Sequence, residues 1–304
     1  MALSGGAVLP VRTLLCSRDV PMALTTFATL LGASAEPLSL VVHDDGSLTD
    51  DDEARLTAGL PATVLRRAEA DDRMAPLLAG RPACRAYRSG PFVWGLKLLD
   101  VPLLTTGDVA YCDADILFYR RVTGLFALPT GSGAVFMADD RGTTSLAGRA
   151  WPDAPALLPW RVNAGLFALR EGGYDLDFVE WFLSQPAYNA LPQFSEQTCL
   201  AALGRRLGCR HYDAGQVGVV TADGDVSDLL VGHYTSPTRH RLAGDAAALG
   251  TPGGVPAVVR STASRTATLV DVALAGLRYR AGVRRAALRR RRQERAEAPV
   301  GSPA

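Results

Sequence analysis

The stretch that most constrains the fold is Val109-Ala110-Tyr111-Cys112-Asp113-Ala114-Asp115-Ile116-Leu117-Phe118, two apolar runs with a pair of carboxylates between them. Apolar runs of this length belong to a strand buried in an α/β sheet. Read as one strand, the stretch sends Asp113 and Asp115 out on the same face. Two like charges buried side by side are costly unless a cation or a proton lies between them. Hard divalent ions such as Mg2+ and Mn2+ take carboxylate oxygens and share their remaining positions with water and substrate phosphates. The stretch therefore reads as a seat for a metal-bound diphosphate. The plainer alternative is a strand end with two solvated acids.

A chain of 304 residues can bury one large α/β core or two small ones, and 48% hydrophobic with 21% charged residues is ordinary for a soluble globular protein. Its net charge of +1 is unevenly spread. Residues 261–304 carry ten arginines against Asp271, Glu294 and Glu297, which leaves +7 there and −6 on the rest. A mildly acidic body argues against a nucleic-acid-binding surface. The five cysteines, Cys16, Cys84, Cys112, Cys199 and Cys209, are odd in number and form no CxxC pair. That fits buried thiols in a reducing compartment rather than a disulfide framework or a zinc site. Met1–Pro10 shows no basic region followed by an apolar core, so no secretory signal is expected. The apolar stretch from Val20 to Ala35 is too short and too rich in threonine to span a bilayer. A cytoplasmic location is the expectation. Among the 32 basic residues only Lys97 is a lysine.

Along the chain, strands are expected at Val11–Cys16, Leu38–His43 and Ala62–Leu65, with helices between them over Pro21–Leu31 and after a Thr49 cap. This alternation predicts a parallel sheet covered by helices. Phe92, Leu96, Leu99 and Leu103 recur at helical spacing, and Lys97 falls off their stripe, which places it on the exposed side. Further strands are expected at Ala134–Met137, Val162–Leu169 and Leu229–Tyr234. Asp139–Pro159 shows no period and reads as a substrate lid. Tyr174, Phe178 and Trp181 mark a helix, and Ser195 is placed to cap another that carries Leu200, Leu203 and Leu207. The expected division is a catalytic domain over residues 1–248, a linker over 249–263, and a basic amphipathic helix with a flexible tail over 264–304.

In this order the motifs resemble the GT-A fold glycosyltransferases, nearest the glycogenin-like and bacterial lipopolysaccharide galactosyltransferase-like group. The residues that carry the resemblance are a first strand ending in Ser17, His43-Asp44-Asp45-Gly46, the helix bearing Lys97, Asp113-Ala114-Asp115, Asn163-Ala164-Gly165, Glu196-Gln197 and His233-Tyr234. It covers roughly residues 11 to 240. The resemblance implies an α/β fold with a mixed, mostly parallel sheet flanked by helices. It implies a nucleotide-sugar donor, UDP-sugar favoured, held through its diphosphate by Mn2+ or Mg2+, with Asp113, Asp115 and His233 as ligands. Ser17, Arg88, Lys97, Asp113, Gly165 and Arg239 would meet the donor, and Asn163, Glu196 and Gln197 the reacting sugars. The acceptor would be a glycan, a lipid-linked sugar or a small molecule. Two departures stand out: Glu196-Gln197 replaces the family's frequent Asp-Gln, and Ser236-Pro237-Thr238-Arg239 replaces its late Lys-Pro-Trp run.

Each residue also has a plainer reading. His233 is a structural histidine, Glu196 a first-turn acid favoured by the helix dipole, Lys97 a solvated charge, and Arg239-His240-Arg241 a polar turn. Glu196, as a functional group, is either a base on the acceptor or a stabiliser of the oxocarbenium-like sugar. The basic tail reads either as contact with an anionic membrane through residues 264–293 or as a solvated arginine helix. Three other readings compete. Haloacid-dehalogenase-type phosphatases also use Asp-x-Asp after an apolar strand, which would make Asp113 the nucleophile, but their motif lies near the N-terminus and continues into Gly or Thr. A nucleotidyltransferase would want a glycine-rich phosphate loop after the first strand, and Ser17-Arg18-Asp19-Val20 is not one. A non-catalytic nucleotide-sugar-binding protein is the third.

Overall fold

The N-terminal alternation builds half of a sheet. In the computed structural model, which describes residues 8–140, 142, 144–146, 158–222, 224–250 and 253–297, β1 (Leu9–Leu15), β2 (Leu38–Asp44) and β3 (Ala62–Leu65) run parallel. The crossovers between them are α1 (Val20–Ala33) and α2 (Asp50–Gly59). The start of α2 shows why it forms there. Thr49 Oγ1 accepts the Asp52 N–H at 3.2 Å and the Asp52 carboxylate takes the Thr49 N–H at 3.1 Å, a reciprocal capping box. α3 (Arg67–Leu77), α4 (Pro82–Arg88) and α5 (Trp94–Leu103) follow.

β4 (Val109–Cys112) then enters beside β1, parallel to it. The expected single strand through Val109–Phe118 is not formed. β4 ends at Cys112, the two acids lie in the connection, and β5 (Ile116–Phe118) belongs to a second sheet. A continuous ladder buried on both faces has no room for two carboxylates, so the chain changes sheets at the point where they occur. Backbone bonds hold the change: Asp113 N–H to Gly165 O at 2.7 Å and Tyr234 N–H to Asp115 O at 2.8 Å.

After β6 (Val122–Thr123) come β7 (Ala134–Ala138), β8 (Val162–Leu169), α6 (Leu176–Ser184), α7 (Ser195–Arg206) and β9 (Arg210–Tyr212). β10 (Val217–Val219), β11 (Val231–His233), α8 (Arg239–Ala247), β12 (Ala257–Val258), β13 (Ser261–Ala263) and α9 (Leu269–Glu297) complete the described chain. The main sheet has the order β13-β9-β7-β8-β4-β1-β2-β3, with β8 antiparallel to both β4 and β7. The small sheet is β10-β11-β5, and β12 pairs with β6. Every residue of β8 is buried because both faces of the sheet are covered. Phe27, Leu30 and Leu40 belong to one apolar cluster, Tyr111, Phe167, Phe182 and Leu200 to a second, and Leu117, Val220, Tyr234 and Leu242 to a smaller third.

Several expectations meet the structure here. The stretch 249–263 read as a linker contains β12 and β13, so part of it is sheet edge. Most of the expected lid, residues 147–157, lies outside the described residues, as does the end of the tail beyond 297. The polar segment after Tyr234 continues into α8. The cysteines are free, and all but Cys16 are buried. Among the described residues no helix is long and apolar enough to cross a membrane.

Phe167 joins three neighbouring strands of the sheet: it is fully buried, with its ring 4.9 Å from Tyr111 of β4 and 5.7 Å from Phe136 of β7. Phe167→Ala is expected to lower stability by about 3–5 kcal/mol in urea denaturation.

Candidate active site

The acids at the sheet change are met by side chains from four other elements. Ligand atoms of Asp113, Asp115 and His233, the last at the end of β11, all lie within 4.8 Å of one another. Asp115 and His233 are buried, and Asp113 is about a quarter exposed, its side chain 27% accessible.

The orientation of His233 starts from a backbone amide. The Gly165 N–H donates to Asn163 Oδ1 at 2.8 Å, which identifies that atom of Asn163 as oxygen. The same oxygen lies 3.1 Å from His233 Nδ1, so Nδ1 must carry the proton and donate it. His233 Nε2 is thereby left to face Asp115 Oδ1 at 3.1 Å, and that buried oxygen accepts no hydrogen bond. Two lone-pair bearers at that distance require a cation or a proton between them. Gly165 is needed for this approach, because a Cβ there would sit 2.5 Å from His233 Cε1.

The second oxygen of Asp115 is held by Arg239, the first residue of α8, through Nε at 2.7 Å and Nη2 at 2.6 Å. Burial pushes the Asp115 carboxyl up, but His233 and Arg239 outweigh it and hold it at about 2. Burial pushes the His233 imidazole down, and Asp115 more than reverses that, so it is raised. Asp113 is engaged differently. Tyr111 donates its hydroxyl to Oδ1 at 2.6 Å, and Lys97 Nζ lies 3.2 Å from both oxygens.

Lys97 corrects an expectation. It is not on an exposed side, because α5 is buried from Gly95 to Pro102 and has no exposed face there. The ammonium sits between Asp113 and Glu196, whose Oε1 is 3.5 Å away, and 4.6 Å from the centre of the Tyr111 ring. Burial lowers its pKa, but Asp113 and Glu196 outweigh that, so the side chain stays charged.

Glu196 is likewise no solvated first-turn acid: it is buried, and its Oε1 accepts no hydrogen bond. Burial raises its pKa to about 7 against the opposing pull of Lys97. Ser195 does not cap α7. It already has helical dihedrals, φ −63° and ψ −38°, and its buried hydroxyl finds no partner. Gln197 reaches the Ala164 N–H at 3.4 Å and lines a cavity with Thr144, Leu158, Arg161 and Thr198.

Two expected donor residues are committed elsewhere. Arg88 forks onto Asp100 with two 2.7 Å bonds and reaches Asp71 at 2.6 Å. Ser17, in the turn after β1, donates to Asp52 Oδ2 at 2.6 Å and so ties that turn to the α2 cap. Two residues that sequence reasoning passed over belong to the site. Tyr111 holds Asp113, and Tyr87 accepts the Glu196 N–H at 3.1 Å. Tyr111 was within reach, since it stands two residues before Asp113 and shares its side of the chain.

No family model matches the chain, and no curated protein does. Solved structures match its fold. The galactosyltransferase LgtC, in complex with donor and acceptor sugar analogues, is 14% identical with a TM-score of 0.53, over 81% of this chain and 98% of that one. Mouse xyloside xylosyltransferase 1 in its apo form is 11% identical with a TM-score of 0.55, over 77% of this chain and 99% of that one. The bifunctional glycosyltransferase WbbM, also apo, is 11% identical with a TM-score of 0.53, over 78% of this chain and 47% of that one. The chain has the GT-A fold.

The raised pKa of Glu196 sets a pH dependence. The group binds its proton more tightly folded than unfolded, so its contribution is complete below the unfolded value of 4.5 and is lost as pH rises to about 7. Glu196→Gln removes that loss. In thermal or urea unfolding, the variant should gain on the wild type by up to about 1.4 kcal/mol per pH unit across that window.

Proposed function

We propose that the chain is a metal-dependent glycosyltransferase that moves a sugar from a nucleoside diphosphate-sugar, UDP-sugar favoured, to a hydroxyl on an acceptor. The observation that carries this reading is the cluster of Asp113, Asp115 and His233, in which His233 Nε2 lies 3.1 Å from a buried carboxylate oxygen of Asp115, a pairing that calls for a cation or a proton between them. Two carboxylates and one imidazole suit Mn2+ or Mg2+ with positions left for phosphate oxygens. Such an ion, when bound, neutralises the charge that builds on the leaving diphosphate.

The chain's own residues supply the rest. Asn163 fixes the His233 tautomer, so the imidazole enters as a neutral ligand aimed at the acids. Lys97 is buried between Asp113 and Glu196, so its charge is present before substrate arrives and needs no reorganisation as the glycosidic bond breaks. Arg239 is 41% exposed at its side chain and stands at the outer edge of the acids, where it can meet the phosphates of a donor. Glu196, held near neutrality, is matched to taking the proton of an acceptor hydroxyl. The GT-A fold leaves the phosphatase alternative without a scaffold.

Isothermal titration tests the reading. UDP should bind with Mn2+ and not without it, and Asp115→Ala should abolish the metal-dependent part. Metal-independent UDP binding that survives Asp115→Ala would overturn the proposal. Arg239→Gln should weaken UDP binding in the presence of Mn2+ by about tenfold, the worth of a charged hydrogen bond. Glu196→Gln should leave that affinity within a few-fold while sugar transfer falls by about 10²–10⁴-fold.

A further inference from the structure

α9 carries two opposite faces. Val272 and Ala275 are buried against the body, and Tyr279 follows them on the same side. The Tyr279 ring meets Phe194 edge-on at 5.3 Å, and Gln193 Nε2 donates to its hydroxyl at 3.0 Å. At 100° per residue, Val270, Leu274, Leu277, Ala281 and Leu288 fall on one stripe on the opposite side of the helix. All five are exposed, Val270 by 65%, Leu277 by 61% and Leu288 by 57%. Arg278 and Arg285 flank this stripe on one side, and Arg280 and Arg284 on the other. Residues 289–292 add four more arginines to the same helix.

We propose that this outer face of α9 docks on an anionic lipid bilayer, lying in the plane of the interface. An apolar stripe flanked by arginines matches both parts of such a surface. The aliphatic side chains enter the acyl boundary, while the arginine stems lie along it and keep their guanidinium groups among the headgroups. A second copy of the chain is disfavoured by charge, because stripe-to-stripe packing would press two rows of arginines together. A nucleic acid would use the arginines and leave the stripe in water. The latch from Tyr279 to Phe194 sets the consequence. Phe194 immediately precedes α7, so docking brings the helix that bears Glu196 and Gln197 to the bilayer. That this surface also presents a lipid-linked acceptor rests on the glycosyl-transfer reading. The docking itself does not.

Sedimentation of the full chain with sucrose-loaded vesicles, without nucleotide or metal, tests the docking apart from the chemistry. The chain should bind vesicles of one-third phosphatidylglycerol in phosphatidylcholine and not vesicles of phosphatidylcholine alone. Raising the salt should weaken binding by more than tenfold. The double variant Leu274→Ser, Leu277→Ser should bind at least tenfold more weakly, as should the quadruple replacement of Arg278, Arg280, Arg284 and Arg285 by Gln. These side chains are exposed, and circular dichroism should show both variants folded. Absence of binding to the anionic vesicles, or binding unchanged in both folded variants, would overturn the proposal. So would a lipid-free dimer dissolved by the leucine pair, or duplex DNA binding as tight as vesicle binding and indifferent to that pair.

Discussion

Two carboxylates held close together at the edge of an apolar core set the problem that the surrounding residues answer. Each acid has its own compensation. Asp113 has the Lys97 ammonium and the Tyr111 hydroxyl, and Asp115 has Arg239 and the His233 imidazole. Four elements besides the β4–β5 connection must therefore arrive together: α5, β4 itself, β11 and α8. The small sheet follows from this requirement. β5 pairs antiparallel with β11, with Ile116 opposite His233, which places the imidazole directly across from the acids.

The same constraint explains the close packing at β8. Its first residues pass beneath His233, and only a glycine at 165 lets the ring approach. Because the Gly165 amide also identifies the oxygen of Asn163, one short stretch sets both the position and the tautomer of the histidine. Asn163 and Gly165 thus act through His233, and this contact is what the structure supports for them. The tight strand entry is also what positions the imidazole.

Much of this was legible in the sequence because burial in a sheet covered on both faces leaves an unmistakable pattern. β1, β2, β4 and β8 all fall on apolar runs, and the Thr49 cap followed from residue type alone. The residues gathered around Asp113 were named largely through order and resemblance rather than through periodicity. Periodicity failed at α5 for a physical reason. A helix enclosed on every side has no polar face, so the angle of Lys97 from the apolar stripe carried no information about exposure. Ser195 misled because a residue suited to capping was drawn one position into the helix, and the buried environment left its hydroxyl unmet. Arg88 could not be placed because its partners, Asp71 and Asp100, lie 17 and 12 residues away in sequence, and pairing at that range is not written in local pattern.

The two cations differ in kind, and the difference bears on how such a site stays both stable and usable. Lys97 is enclosed, its side chain 5% exposed, and it touches Asp113 and Glu196 together. Removing it would leave buried charge unpaired, so it is part of the fold as much as of the site. Arg239 is 41% exposed, reaches Asp115 Oδ2 from the first turn of a surface helix, and leaves Oδ1 of that acid to face His233 Nε2. A site in which every counter-charge was enclosed would be stable but closed to a polyanionic substrate. One in which none was enclosed would strain against its own acids. Dividing the compensation between an enclosed lysine at Asp113 and an accessible arginine at Asp115 gives each acid a counter-charge and leaves Arg239 within reach of a ligand.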